Sequence, residues 1–245
     1  MASECCLKGS KWEGTPVGTE DKISNYNTYI TGSNPDVAIL VVHDAFGWTF
    51  NNSRLLADQY AQAADATVYI PDFFDGEVIP PEVLKEPNIL KTFDFEGFNR
   101  RHSKEIRLPQ ITEVAKALRS RYKRLGAVGF CFGGWAVFRL GAKDQNRLVD
   151  CITVGHPTAL EKGEIENVGV PVQIIAPEHD PTFTPELKAH SFNTIQALGL
   201  PFDYQYFPGL EHAFCTRGNP GDLHGMERAK NAAILWFQEW LHEKK

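Results

Sequence analysis

No run of apolar residues in this chain nears the roughly 20 that a membrane-spanning helix needs, so no membrane partner is expected for its 245 residues. Internal repeats, low-complexity tracts and Pro/Gly/Ser-rich linkers are also missing, and one domain over residues 1–245 is the expected organisation. A chain of this length can bury roughly three quarters of its unfolded surface around a single core. Cysteine is sparse. Five residues at irregular spacing, Cys5, Cys6, Cys131, Cys151 and Cys215, argue against a disulfide framework. A net positive charge is lacking too. A formal net charge of −6 with a pI near 5.8 disfavours a broad nucleic-acid surface, and the basic cluster Arg119, Arg121, Lys123 and Arg124 reads as the end of a helix complementing its dipole. The start Met1-Ala2-Ser3-Glu4-Cys5-Cys6 has neither a basic segment nor an apolar one, so a secretory signal is not expected and a reducing, cytoplasmic setting is.

What the chain does contain is an alternation. Short β-branched runs at 37–42, 66–70, 125–129, 151–154 and 170–176 read as buried parallel strands. Between and after them, 51–64, 108–122, 134–142, 185–198 and 225–241 have helical spacing of apolar residues. The expected class is α/β, a mostly parallel wound sheet with helices on both faces. The alternating segment Tyr26 to Thr31 is expected as an antiparallel edge strand, and Phe202 to Phe207 as a late strand near the other end. Residues 71–101 break the pattern, with Pro71, Pro80, Pro81 and Pro87 among Phe73, Phe74, Phe93, Phe95 and Phe98. Such an excursion after a strand can form a pocket wall or lid, or simply pack its rings on the domain.

The sequence Gly129-Phe130-Cys131-Phe132-Gly133-Gly134 stands where an apolar run gives way to a helical one. Glycines on both sides of Cys131 allow a sharp strand-to-helix turn that pushes its side chain out toward the helix N-terminus. A thiolate is stabilised in that field, which makes Cys131 a candidate nucleophile. In a wound sheet the loops at the strands' carboxyl ends meet along one edge, and a base and an acid are sought there. Pro177-Glu178-His179-Asp180 follows one strand, and Gly209-Leu210-Glu211-His212 closes another. Nucleophile, acid, histidine is the chain order of the α/β-hydrolase arrangement. His212 would take and return the thiol proton, and Asp180, preferred over Glu178, would hold its tautomer. The backbone N–H of Phe132 is one candidate oxyanion donor, and that of Ala45, in His43-Asp44-Ala45-Phe46-Gly47-Trp48, is the second.

Together these residues resemble the dienelactone hydrolase family, a branch of the α/β-hydrolases with a cysteine nucleophile. The likeness rests on the Cys131 motif, on His43 to Trp48 followed by Asn52, Arg54, Leu56, Ala57 and Asp58, on Asp180, and on His212-Ala213-Phe214. The start Cys5-Cys6 with Gly14-Thr15-Pro16 is similar to the fungal members. The resemblance implies the α/β-hydrolase fold and hydrolysis of a small lactone or ester through a thioester acyl-enzyme, with Cys131, Asp180 and His212 as triad. It implies no metal and no organic cofactor. Asp44 matches the position of a bacterial glutamate that activates the thiol, although it is one methylene shorter. Arg217, Arg100 and Arg101 are candidates for holding a substrate carboxylate, and Trp48 is a further substrate-contact candidate. A broad carboxylesterase or thioesterase, and a non-catalytic small-molecule binding protein on the same fold, stay open, as does a monomer against a homodimer.

Overall fold

The computed structural model describes residues 9–86, 88 and 93–242. Cys5, Cys6 and Pro87 of the motifs above lie outside the described residues. Eight strands form one sheet: β1 (Thr19–Ile23), β2 (Tyr26–Thr31), β3 (Val37–Val42), β4 (Thr67–Pro71), β5 (Arg124–Phe130), β6 (Cys151–Gly155), β7 (Val172–His179) and β8 (Phe202–Glu211). Their order is β1-β2-β4-β3-β5-β6-β7-β8. From β4 to β8 every neighbouring pair is parallel, whereas β1 and β2 run antiparallel.

Every residue of β3, β4 and β6 is buried, as expected of parallel strands covered on both faces. One face is covered by α3 (Lys104–Arg119), α4 (Gly133–Leu140) and α6 (Pro185–Ala197), through Ile111, Val114, Leu118, Val137, Phe138 and Ile195. On the other, α1 (Asn51–Ala63) and α8 (Leu223–Leu241) bury Leu56, Tyr60, Ala233, Phe237 and Leu241 at helical spacing. The short helices α2 (Phe95–Arg101), α5 (Lys162–Glu166) and α7 (Phe214–Arg217) complete the set among the described residues. None of these helices is long and apolar enough to cross a membrane.

The expected edge strand is corrected. Residues 26–31 are antiparallel, but β1 pairs outside them and is the true edge. That strand reads Thr-Glu-Asp-Lys-Ile with only Ile23 buried, so no apolar pattern betrays it. Charged side chains on an edge strand discourage pairing with other chains. β7 and β8 are longer than expected, so that Asp180 and His212 each directly follow a strand end.

Parallel order has one consequence for chemistry. The carboxyl ends of β3, β5, β6, β7 and β8 share one edge of the sheet, and the next residues are His43, Cys131, His156, Asp180 and His212.

Candidate active site

Cys131 sits between β5 and α4 with a left-handed φ of 49°, a conformation that non-glycine residues hold only when their surroundings enforce it. Here the backbone enforces it. Cys131 N–H donates to Gly155 O at 3.2 Å, and its carbonyl accepts from Gly134 N–H at 3.0 Å and Thr158 N–H at 2.9 Å. A Cβ on Gly133 would collide with the carbonyl oxygen of Val42, and one on Gly129 with that of Gly133. The glycines therefore let α4 start hard against β3 and β5. Phe132 opens that helix with helical angles, and amides in a first turn have no partner within the helix.

His212 and Asp180 meet at the same edge. Nδ1–H of His212 donates to Asp180 Oδ2 at 2.9 Å, and both side chains are almost wholly buried. Asp180 Oδ1 accepts from the N–H groups of Thr182 and Phe183, each at 2.9 Å, and from the Thr182 hydroxyl at 2.8 Å. Burial alone would push the Asp180 carboxyl up; the His212 bond and charge, with the Phe183 and Thr182 amides, outweigh it and hold the carboxyl down at about 2. Glu178, its sequence competitor, points outward and accepts from Gly209 N–H. Burial pushes the thiols of Cys151 and Cys215 well up.

Asp44 is fully buried and receives three donors. Its Oδ1 accepts from Phe46 N–H at 2.9 Å, and its Oδ2 from the Thr216 hydroxyl at 2.9 Å and from Arg217 Nη1. Arg217 is itself fully buried, with its guanidinium 4.4 Å from the centroid of the Phe46 ring. The expectation that Arg217 stands open to a substrate carboxylate is corrected accordingly: the side chain is closed off from solvent and paired with Asp44. Arg101 pairs with Glu77 and Asp94, and Arg100, largely exposed, with Glu96. Trp48 packs in the α1-side core with the Arg54 guanidinium over its ring, so its surroundings are those of a packing residue. Ala45 is buried, and its carbonyl accepts from Ile79 N–H at 3.0 Å, which ties the oxyanion-candidate loop to the aromatic excursion.

That excursion packs its rings at the site. Phe74 is fully buried and makes edge contacts with His43, Phe98 and Phe132 at centroid distances of 4.7, 5.2 and 4.9 Å. His43 accepts from Phe73 N–H through Nε2 and donates through Nδ1 to Asp44 O. Burial depresses its pKa, which fits this neutral tautomer.

Three residues of the cluster have no place in the sequence reading. His156 is buried at φ 37°, its ring 4.9 Å from that of His212. Thr158 Oγ1 lies 3.3 Å from Cys131 Sγ and 3.3 Å from Thr182 Oγ1, and Thr182 Oγ1 lies 3.3 Å from His212 Nδ1. The signal was available: Gly155-His156-Pro157-Thr158 directly follows an apolar run, as the Asp180 and His212 loops do. A search limited to one acid and one base passes over it.

A sheet of this order, with a strained residue between β5 and α4 and a His–Asp pair after β8 and β7, defines an α/β-hydrolase. Residues 26–242 match the model of the dienelactone hydrolase family. The chain belongs to that family and is a carboxylic ester hydrolase. Along nearly its whole length it is similar to Hydrolase tropI of Talaromyces stipitatus, with 28% identity over 99% of this chain and 98% of the relative. Hydrolase pyvD of Aspergillus violaceofuscus is 30% identical over 98% of this chain and 97% of its own. Among solved structures, the dienelactone hydrolase of Anabaena variabilis superposes with a TM-score of 0.63 at 14% identity, over 92% of this chain and 98% of that one.

Proposed function

We propose that this chain cleaves a small lactone or ester through a thioester acyl-enzyme, with Cys131 as nucleophile, His212 as base and then acid, and Asp180 orienting the histidine. The observation that carries this reading is the 2.9 Å His212–Asp180 bond, joined through Thr182 and Thr158 to a cysteine at a strained turn. With Nδ1–H given to Asp180, Nε2 is the nitrogen that takes the thiol proton as Sγ attacks the acyl carbon. The oxyanion forms against the backbone N–H groups of Phe132 and Ala45. Its collapse breaks the ester C–O bond, and the imidazolium protonates the leaving oxygen, which stays tethered when the substrate is a lactone. Water then gives a proton to His212 and attacks the thioester carbonyl, and the departing thiolate takes that proton back.

One observation favours a neutral ester or lactone over a carboxylate-bearing one. The guanidinium of Arg217 faces the buried carboxylate of Asp44, and Arg100 and Arg101 face acidic partners of their own. Neutral aryl esters are therefore expected to turn over faster than an anionic butenolide. Intact-mass spectrometry of enzyme with a slow ester is expected to show one acyl group on Cys131, and Cys131→Ala to lose at least about a thousandfold in turnover. Turnover at the parent rate in that variant refutes the reading.

A further inference from the structure

The loop after β6 carries no member of the proposed triad, yet it touches Cys131 and His212 and reaches Asp180 through Thr182. The ring of His156 lies against His212. The Thr182 hydroxyl, which reaches Asp180, also lies 3.1 Å from the Pro157 carbonyl. Thr158 meets the nucleophile twice, through its N–H to the Cys131 carbonyl at 2.9 Å and through Oγ1 to Sγ at 3.3 Å. We propose that Thr158 is a positioning residue for the nucleophile, whose hydroxyl accepts from the resting thiol and turns to donate to the sulfur once the thiolate forms. The proposal rests on the reading of Cys131 as nucleophile.

The direction of the hydrogens follows from a count of protons. A threonine hydroxyl has one proton to give. For Thr182, the ionised Asp180 oxygen at 2.8 Å is the strongest acceptor in reach. Its oxygen is then left to accept from Thr158 at 3.3 Å. Thr158, having given its proton to Thr182, accepts from Sγ–H. The resting chain therefore runs one way, from thiol to Thr158 to Thr182 to Asp180.

When His212 Nε2 takes the thiol proton, the S–H bond breaks, an N–H bond forms, and Sγ becomes an acceptor. Rotation about the Cβ–Oγ bond of Thr158 carries its proton from Thr182 to the sulfur, and no further bond breaks. Thr158 is almost wholly buried, and a hydrogen bond to an ion is stronger away from water. Its backbone bond to Cys131 keeps the hydroxyl in place. Asp44, the alternative partner suggested by family resemblance, has its carboxylate taken by Phe46 N–H, Thr216 and Arg217.

The experiment follows alkylation of Cys131 by iodoacetamide against pH, mapped by peptide mass, in the parent and in the Thr158→Val, Thr158→Ser and Asp44→Asn variants. The ionisable groups tied to the thiol in this network are His212 and Asp180, present in every variant. In Thr158→Val the alkylation midpoint is expected to rise by about one pH unit, and kcat to fall about ten- to a hundredfold with KM nearly unchanged. Thr158→Ser is expected to restore both. A Thr158→Val profile that overlays the parent overturns the proposal, as does a midpoint that moves only in Asp44→Asn. If the valine variant fails to fold, Thr158→Ala, which adds no bulk, gives the same readout. Retained turnover in Cys131→Ala would instead sink the nucleophile reading, so the two failures are told apart.

Discussion

Asp180 is the residue on which burial and bonding pull hardest in opposite directions. Burial raises its carboxyl, and the His212 contact with two backbone amides brings it to about 2, below the ordinary aspartate value near 3.9. A carboxyl depressed by folding favours the native state fully above its unfolded value, and the advantage fades as pH falls from about 4 through about 2. The difference is on the order of 2 kcal/mol. Urea unfolding of the parent is thus expected to lose about that much stability across this interval, and Asp180→Asn to lose less over the same range. At this scale the sequence reads unevenly. That Cys131, Asp180 and His212 each follow a strand end on one edge of the sheet was legible, because apolar runs mark the strands and chain order marks their ends. Arg217 was not, because spacing of five residues from His212 says nothing about what its guanidinium meets, and a buried carboxylate from a distant loop meets it. An arginine so enclosed requires a counter-charge, since an unpaired buried charge is costly.

Among elements, α4 decides the geometry. Nearly all of its residues are buried, between β3, β5 and β6 on one side and α3 on the other, and Gly133 leaves no room for a Cβ against the Val42 carbonyl of β3. Gly133→Ala places a methyl group against the Val42 carbonyl, which belongs to the sheet and cannot swing aside as a side chain would. The variant is expected to lose about 2–3 kcal/mol in urea unfolding, and its ester turnover to fall by more than its folded fraction, because Phe132 and Cys131 move with the helix. The apolar runs made most strands and helices legible, within a few residues at their ends. β1 was not legible, because a solvated edge strand needs no apolar residues beyond Ile23. Nor was the start of α3 at Lys104: Pro109 suggests an early boundary, yet it lies inside the helix.

Across the whole molecule, the aromatic excursion is joined to α3 by a polar chain centred on the buried side chains of Arg107 and His102. Arg107 donates to His102 Nδ1 at 2.8 Å, to Asp75 at 2.7 Å and to Gln110 at 2.7 Å. His102 therefore carries its proton on Nε2 and donates to Glu77 at 2.9 Å. The Arg101 hydrogen bond, against some burial, takes the Glu77 carboxyl down to about 2. Because Phe74 packs on both His102 and Phe132, this chain also steadies the wall beside Cys131. Arg107→Met is expected to cost about 2 kcal/mol and to open residues 72–86 and 93–102 to limited proteolysis while the sheet stays protected. The amino-acid order by itself determined the wound sheet, the site edge and the chemical type of three residues, since periodicity and strand-end position are local properties that survive in one dimension. Only the tertiary structure decided the partners: Arg217 with Asp44, Arg107 with His102, Thr158 with the thiol. Such contacts depend on how distant loops pack, and burial sets their strength by excluding the water that would otherwise satisfy each group alone.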